Sequence, residues 1–278
     1  MTNIPRIIPK LDIKGPNLVK GINLEGLRVL GNPRDFIKFY YESEADELIY
    51  HDVVASLYLR NNLSSLLKKT SQNIFIPIIV GGGIRSKLDV KNLIASGADR
   101  IFLNTETINN PLLVNDIVKE FGSSTVLISI EASFFDGNYY CLKDFGREKT
   151  KISIVDRINE LQDKGVGELI ITSVDKDGTG KGFDLNLAEK ISKFSKIPFI
   201  INGGFNNIKD LDELLDCCLP SGIAISSAFH YNSKIELVNF DNNKEGNFEF
   251  VKKKKNNFLN FKDISIKDVK KFVKKKLS

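Results

Sequence analysis

Phe75-Ile76-Pro77-Ile78-Ile79-Val80-Gly81-Gly82-Gly83 and Lys196-Ile197-Pro198-Phe199-Ile200-Ile201-Asn202-Gly203-Gly204 are two versions of one phrase, set 121 residues apart. Each is an apolar, largely β-branched run that ends on glycines, the pattern of a buried strand opening into a tight turn. The same offset lays Glu47-Leu48-Ile49 on Glu168-Leu169-Ile170, and with small loop drift Asn104-Thr105 falls near Ser226-Ser227 and Asp12 near Glu131. A spacing that recurs over half the chain predicts two copies of one half, about residues 1–121 and 122–278.

Working outward, short strand-like runs recur at 6–11, 47–52, 76–80, 100–103, 125–130, 168–172, 198–201 and 222–226. Amphipathic helical patterns at 33–44, 88–96, 111–121, 153–164 and 185–194 separate them. Strands alternating with helices imply βαβ units and a parallel sheet. Eight strands in 278 residues suit a closed (β/α)₈ (TIM) barrel, for which about 250 residues is typical. No Gly-x-Gly-x-x-Gly follows the first strand, which weakens a dinucleotide-binding reading.

The overall charge of +5 is local in origin. Residues 251–278 hold eleven Lys and two Asp, a net of +9, which leaves the other 250 residues at about −4. That balance argues against a nucleic-acid-binding face spread over the domain. No run is long and apolar enough for a membrane span. Three cysteines without metal-ligand spacing point to a reducing compartment, so cytoplasm is expected. No metal site and no cofactor are implied.

In such a barrel the functional groups stand just past the C-terminal ends of the strands. Gly81-Gly82-Gly83 with Asn104-Thr105 lies there in the first half, and Gly203-Gly204 with Ser226-Ser227 repeats it in the second. Glycines let backbone N–H groups approach phosphate oxygens, and Asn, Thr and Ser add donors. Two equivalent cradles at one mouth suit a ligand with a phosphate at each end. The Asp177-Gly178-Thr179-Gly180 loop lies beside the second cradle. Asp12 and Glu131 end strands one and five, opposite one another, where two carboxylates can divide general acid and base work. Asp52, Asp175 and Asp177 also fall near strand ends. His51 and His230 have no metal-like partner spacing and read as structural or substrate-adjacent. At the other rim Arg6, Glu47, Arg100 and Glu168 open strands one, two, four and six, and their alternating charges predict a ring of ion pairs closing the axis.

After Tyr231 the pattern breaks. Residues 232–264 read as an insertion between strand eight and the last helix, a hairpin or a disordered stretch whose Lys252–Lys255 run is a solvated face or, emerging at the active-site face, a contact to substrate or a partner. Ser265 then caps a final helix with an Ile266, Val269, Val273 and Leu277 stripe.

Taken jointly, Arg6-Ile7-Ile8-Pro9-Lys10-Leu11-Asp12, Leu18-Val19-Lys20-Gly21, Val80-Gly81-Gly82-Gly83-Ile84-Arg85, Gly97-Ala98-Asp99-Arg100 and Thr172-Ser173-Val174-Asp175-Lys176-Asp177-Gly178-Thr179 resemble the cyclase subunit of imidazole glycerol phosphate synthase. The resemblance implies a lyase that works as a heterodimer with a glutaminase subunit of a glutamine amidotransferase. Ammonia released by that partner would pass the Arg6, Glu47, Arg100 and Glu168 gate and run along the barrel. It would attack a phosphoribulosyl bisphosphate intermediate of histidine biosynthesis, giving imidazole glycerol phosphate and an aminoimidazole carboxamide ribotide. The resemblance makes Asp12 and Glu131 catalytic and gives substrate or phosphate contacts to Lys20, Asp52, Gly83, Asn104, Thr105, Thr172, Asp177, Gly178, Gly204, Ser226 and Ser227. The chain departs from the family at Glu131, where an aspartate is usual, at Lys10, where cysteine is usual, and at Lys151, where a loop glycine is common. These departures keep a second expectation open: a barrel that supplies ammonia to a sugar amidotransferase in surface-polysaccharide synthesis, its cyclase chemistry weakened or lost.

Overall fold

The computed structural model describes residues 4–55, 63–233 and 261–278. Eight parallel strands close on themselves: β1 (Arg6–Lys14), β4 (Leu48–Asp52), β5 (Ile78–Gly81), β6 (Arg100–Leu103), β7 (Val126–Phe135), β10 (Glu168–Ser173), β11 (Phe199–Asn202) and β12 (Gly222–Ile225), which pairs again with β1. The expected (β/α)₈ barrel is therefore the observed fold.

Helices α1 (Pro33–Glu42), α2 (Leu63–Thr70), α3 (Lys87–Ala95), α4 (Thr105–Asn109), α5 (Leu112–Phe121), α6 (Ile154–Asp163), α7 (Leu185–Phe194), α8 (Ile208–Cys217), α9 (Ser227–Asn232) and α10 (Ile266–Leu277) follow the strands. Their starts obey local chemistry. Ser86 with Asp89 and Asn207 with Asp210 form capping boxes at α3 and α8, again 121 residues apart, and Ser265 with Asp268 forms another at α10. Ile266, Val269 and Val273 are buried as the final stripe requires. The insertion read at 232–264, with its Lys252–Lys255 run, lies mostly at 234–260, outside the described residues.

Two layers of apolar contacts hold the barrel. The larger lies between strands and helices and includes Leu11, Leu48, Val80, Ile101, Ile128 and Ile171. The smaller takes one residue from each barrel strand: Ile8, Ile49, Ile79, Phe102, Leu127, Ile170, Ile200 and Ala224. Side chains alternate faces along a strand, so this belt sets the reading frame of the interior. On β1, Arg6, Ile8, Lys10 and Asp12 share one face, and Glu47, Ile49 and His51 do so at β4.

Beyond the barrel, β1 runs on into an antiparallel excursion, β2 (Asn17–Ile22) and β3 (Glu25–Gly31). β7 does the same with β8 (Asn138–Lys143) and β9 (Glu148–Ser153). The expected strands one and five stopped at Leu11 and Ile130, and these four extra strands were not anticipated. Asp136-Gly137, both at positive φ, forms the two-residue hairpin turn that such a dipeptide favours. Among the described residues no helix is long and apolar enough to cross a membrane.

Candidate active site

Asp12 sits in parallel register with His51 on β4, and Glu131 with Thr172 on β10. β1 and β7 stand four places apart in a ring of eight, so the two carboxylates come from opposite walls, as expected. Asp12 is wholly buried. One of its oxygens takes the ammonium of Lys10, and the other lies 3.2 Å from Lys20 Nζ. Lys20, reaching in from β2, also donates to Asp177 Oδ2 at 2.5 Å. Burial opposes the charge on Asp12, yet Lys10, Lys20 and His51 outweigh it and hold its pKa well below the usual carboxylate range. Lys20 is correspondingly held charged: burial works against it, but Asp177 and Asp12 raise its pKa.

Glu131 has the contrary environment. It too is buried, but its Oε2 accepts a hydrogen bond from the Gly146 N–H at 2.8 Å, and burial pushes its pKa up to about 7 against that bond and the nearby Lys10. Two facing carboxylates, one held ionised and one poised near neutrality, are what acid and base partners require.

The two cradles are built alike. Gly82 and Gly203 have φ of +105° and +104°. A Cβ on Gly82 would lie 2.2 Å from the Asp52 carbonyl oxygen, and one on Gly204 2.0 Å from that of Gly182. Asn104 and Ser226 precede the short helices α4 and α9, with neither side chain bonding back to its helix. Those first turns therefore have no side-chain cap on their N–H groups, the kind of helix end that can meet an anion. The first cradle opens into a cavity of about 310 Å³ lined by His51, Asp52, Gly83, Asn104, Thr105 and Glu131 among others. Gly178, Gly204, Ser226 and Ser227 line the second. The buried Ser227 hydroxyl has no partner. Phe261, stacked on Tyr231 at 11° and 5.5 Å, closes this second cradle to about 10 Å³, near the size of one water. Thr172 is buried and accepts from Asn202 Nδ2 at 3.1 Å.

At the opposite rim the charge ring is closed. Glu47 accepts from Arg6 at 2.6 Å and lies 3.6 Å from Arg100; Glu168 pairs with Arg100 at 2.6 Å and also with Arg6. The side chains of Glu47 and Glu168 are 3% and 4% exposed, which separates this ring from an ordinary surface cluster. Among the described residues, no three or more His, Cys, Asp or Glu side chains gather as a metal site.

The structure thus brings Asp12, Lys20 and Asp177 into one cluster, puts Glu131 across from it with Thr172 beside it, and divides Asp52, Gly83, Asn104, Thr105, Gly178, Gly204, Ser226 and Ser227 between two cradles. Asp175 stands apart from the chemistry: it accepts from Ser133 Oγ and the Phe134 N–H, tying down the β7–β8 excursion. His230 is structural, its Nδ1 2.5 Å from Tyr40 Oη, and burial lowers its pKa to about 3. Sequence reasoning undervalued Lys10 and His51. Period-two counting would have found both, since each lies two residues beyond a belt position on its strand.

A parallel eight-stranded barrel with two alike glycine-lined turns and opposed carboxylates at one mouth, and a closed ion-pair ring at the other, is the architecture of a TIM-barrel enzyme. The model of the family described as "Histidine biosynthesis protein" matches residues 6–235, and the chain belongs to that family. It is similar to the protein named imidazole glycerol phosphate synthase subunit HisF of Legionella pneumophila, 49% identical over 213 residues, which covers 76% of this chain and 100% of that one. Relatives of the same name from Alkaliphilus metalliredigens and Leuconostoc mesenteroides are 38% and 37% identical, covering 82% and 86% of this chain and 90% and 94% of theirs.

Proposed function

We propose that this chain is the cyclase subunit of an imidazole glycerol phosphate synthase, a lyase of histidine biosynthesis. The observation that carries the reading is the pairing of two equivalent anion cradles with opposed carboxylates at a single mouth. The substrate is the phosphoribulosyl bisphosphate intermediate, one phosphate on Gly83, Asn104 and Thr105 and the other on Gly178, Gly204, Ser226 and Ser227. Asp12 and Glu131 handle protons between them, with Asp12 ionised and Glu131 able to give up or take a proton near neutrality. Lys20, Asp52, Thr172 and Asp177 hold the substrate and the carboxylates in place.

The partner is a glutaminase subunit docked against the Arg6, Glu47, Arg100 and Glu168 rim, and the ring is the gate through which its ammonia enters. The described cysteines are free, in keeping with a cytoplasmic enzyme. The relatives quoted above all carry the name imidazole glycerol phosphate synthase subunit HisF, which weighs against the sugar-amidotransferase alternative.

The test is turnover of the purified chain with the histidine-pathway bisphosphate and high ammonium salt, without a partner. Formation of imidazole glycerol phosphate is the expected result. Binding of the bisphosphate with no product would overturn the cyclase reading.

A further inference from the structure

His51 lies opposite Asp12 in the barrel register, with Nδ1 3.6 Å from Asp12 Oδ1 and without a hydrogen-bond partner. The ring is held edge-on against Phe102 and Phe145, centroids 5.1 and 5.3 Å away. It is 9% exposed, and it lines the same cavity as Glu131 and the first cradle. Asp12, by contrast, has no exposure, is not on that cavity's wall, and has both oxygens engaged by the ammonium groups of Lys10 and Lys20. A substrate proton reaching Asp12 would have to displace a lysine. The 121-residue offset adds a second argument: it sets His51 on Thr172, the residue beside Glu131 in the other half.

We propose that His51 is the catalytic group through which Asp12 acts, with Asp12 orienting it and Glu131 as its counterpart across the cavity. This rests on the cyclase reading above. Once the 3.6 Å gap closes, Asp12 accepts the Nδ1–H, which leaves Nε2 as the base. As ammonia adds to the ketose carbonyl carbon, a C–N bond forms and the carbonyl π pair moves to oxygen. His51 Nε2 takes the surplus proton from nitrogen, and protonated Glu131 gives one to oxygen. A neutral carbinolamine results, leaving an imidazolium beside Asp12 and a Glu131 carboxylate. The charged and titratable groups around His51 are Lys10 and Asp12 on β1, Lys20 on β2, Asp52 on its own strand and Glu131 on β7. Burial, with Lys10 and Lys20, outweighs Asp12 and lowers the imidazole pKa, so the ring is neutral at pH 7 and able to accept a proton. A 3.6 Å approach is of the kind that shortens when substrate binds.

The chain has two histidines, so its imidazole nitrogens can be read directly by ¹⁵N NMR, with His51→Gln assigning the signals. The expected result is the Nδ1–H tautomer at His51, lost or mixed in Asp12→Asn. In ammonium-driven turnover, His51→Gln should lower kcat by about a hundredfold or more, the usual worth of a positioned acid–base group, with little change in KM. An Nε2–H tautomer indifferent to Asp12→Asn, or a His51→Gln enzyme with near-normal kcat, would overturn the proposal. Should the unaltered chain fail to turn over the bisphosphate, the cyclase reading falls, while the tautomer and its dependence on Asp12 still decide the His51–Asp12 pair.

Discussion

Asn104 and Ser226, 122 residues apart, hold nearly the same uncommon backbone, with φ and ψ of −133° and −90° against −110° and −83°. Each turns the chain from a barrel strand into a short helix whose first residue, Thr105 or Ser227, carries a hydroxyl at a cradle. The two hydroxyls differ in one respect. Thr105 Oγ1 accepts from the Asp144 N–H at 2.9 Å, whereas Ser227 Oγ is buried and unpartnered. Ser227→Ala should therefore leave thermal stability unchanged or raised, while Thr105→Ala should cost about 1 kcal/mol for the lost bond. Both should weaken bisphosphate binding about tenfold, the worth of one bond to a charged group. Calorimetry of both variants checks stability and affinity together.

Asp12 also neutralises two buried lysines, so removing its charge has a structural effect. Asp12→Asn should abolish ammonium-dependent turnover and destabilise the fold by about 3–5 kcal/mol, the usual result of breaking a buried ion pair from one side. Replacing Lys10 with Met in that background should restore part of the stability and none of the activity. Urea unfolding of the single and double variants tests the coupling.

Glu131 carries a pH signature. Its folded pKa of about 7 stands above the ordinary 4.5 because of burial. A raised carboxyl pKa means that the fold is favoured while the group is protonated. That advantage is whole below about 4.5, shrinks as pH rises, and is gone above about 7. Glu131→Gln should accordingly gain melting temperature relative to the unaltered chain between pH 5 and pH 8, with turnover lost throughout. A constant difference across that range would show that burial does not perturb the group.

Phe261 closes the second cradle against Gly180 and Tyr231. Phe261→Ala should open it and tighten binding of inorganic phosphate, seen by titration calorimetry, while the first cradle is unaffected.

The charge ring yields a partner-dependent expectation. Glu168→Gln leaves Arg6 and Arg100 sharing Glu47, and should lower glutamine-driven turnover of the heterodimer more than ammonium-driven turnover of the isolated chain. Equal losses in the two assays would separate the ring from ammonia entry.

Much of this architecture was legible in the sequence because a buried strand with a glycine exit is a local pattern and appears here twice. Asp12, Glu131, both cradles and the ring residues all follow from strand ends. What escaped notice depends on tertiary context. The β2–β3 and β8–β9 excursions are short, and charged residues break their alternation, the buried Lys20 on β2 and Arg28 and Lys149 on β3 and β9. Helices α2 and α8 went unread although each carries an apolar stripe, Leu63 and Leu67 in one and Leu211 and Leu214 in the other, and α8 opens on a capping box. His51 reads as an isolated histidine until the register sets it across from Asp12, and Lys10 as a departure from a family pattern until its ammonium is seen on the same carboxylate.

The eight-residue belt of Ile8, Ile49, Ile79, Phe102, Leu127, Ile170, Ile200 and Ala224 lies between two crowds of charge and contains none itself. It behaves as an oil film one side chain thick. A neutral solute can dissolve into such a film, while an ion must shed its hydration at a cost of many kcal/mol. On the proposed ammonia route, such a film would filter axial traffic by protonation state, whatever the ring below admits. An amine crossing by that route would arrive as a free base, and every proton it later carried would have to be supplied on the far side.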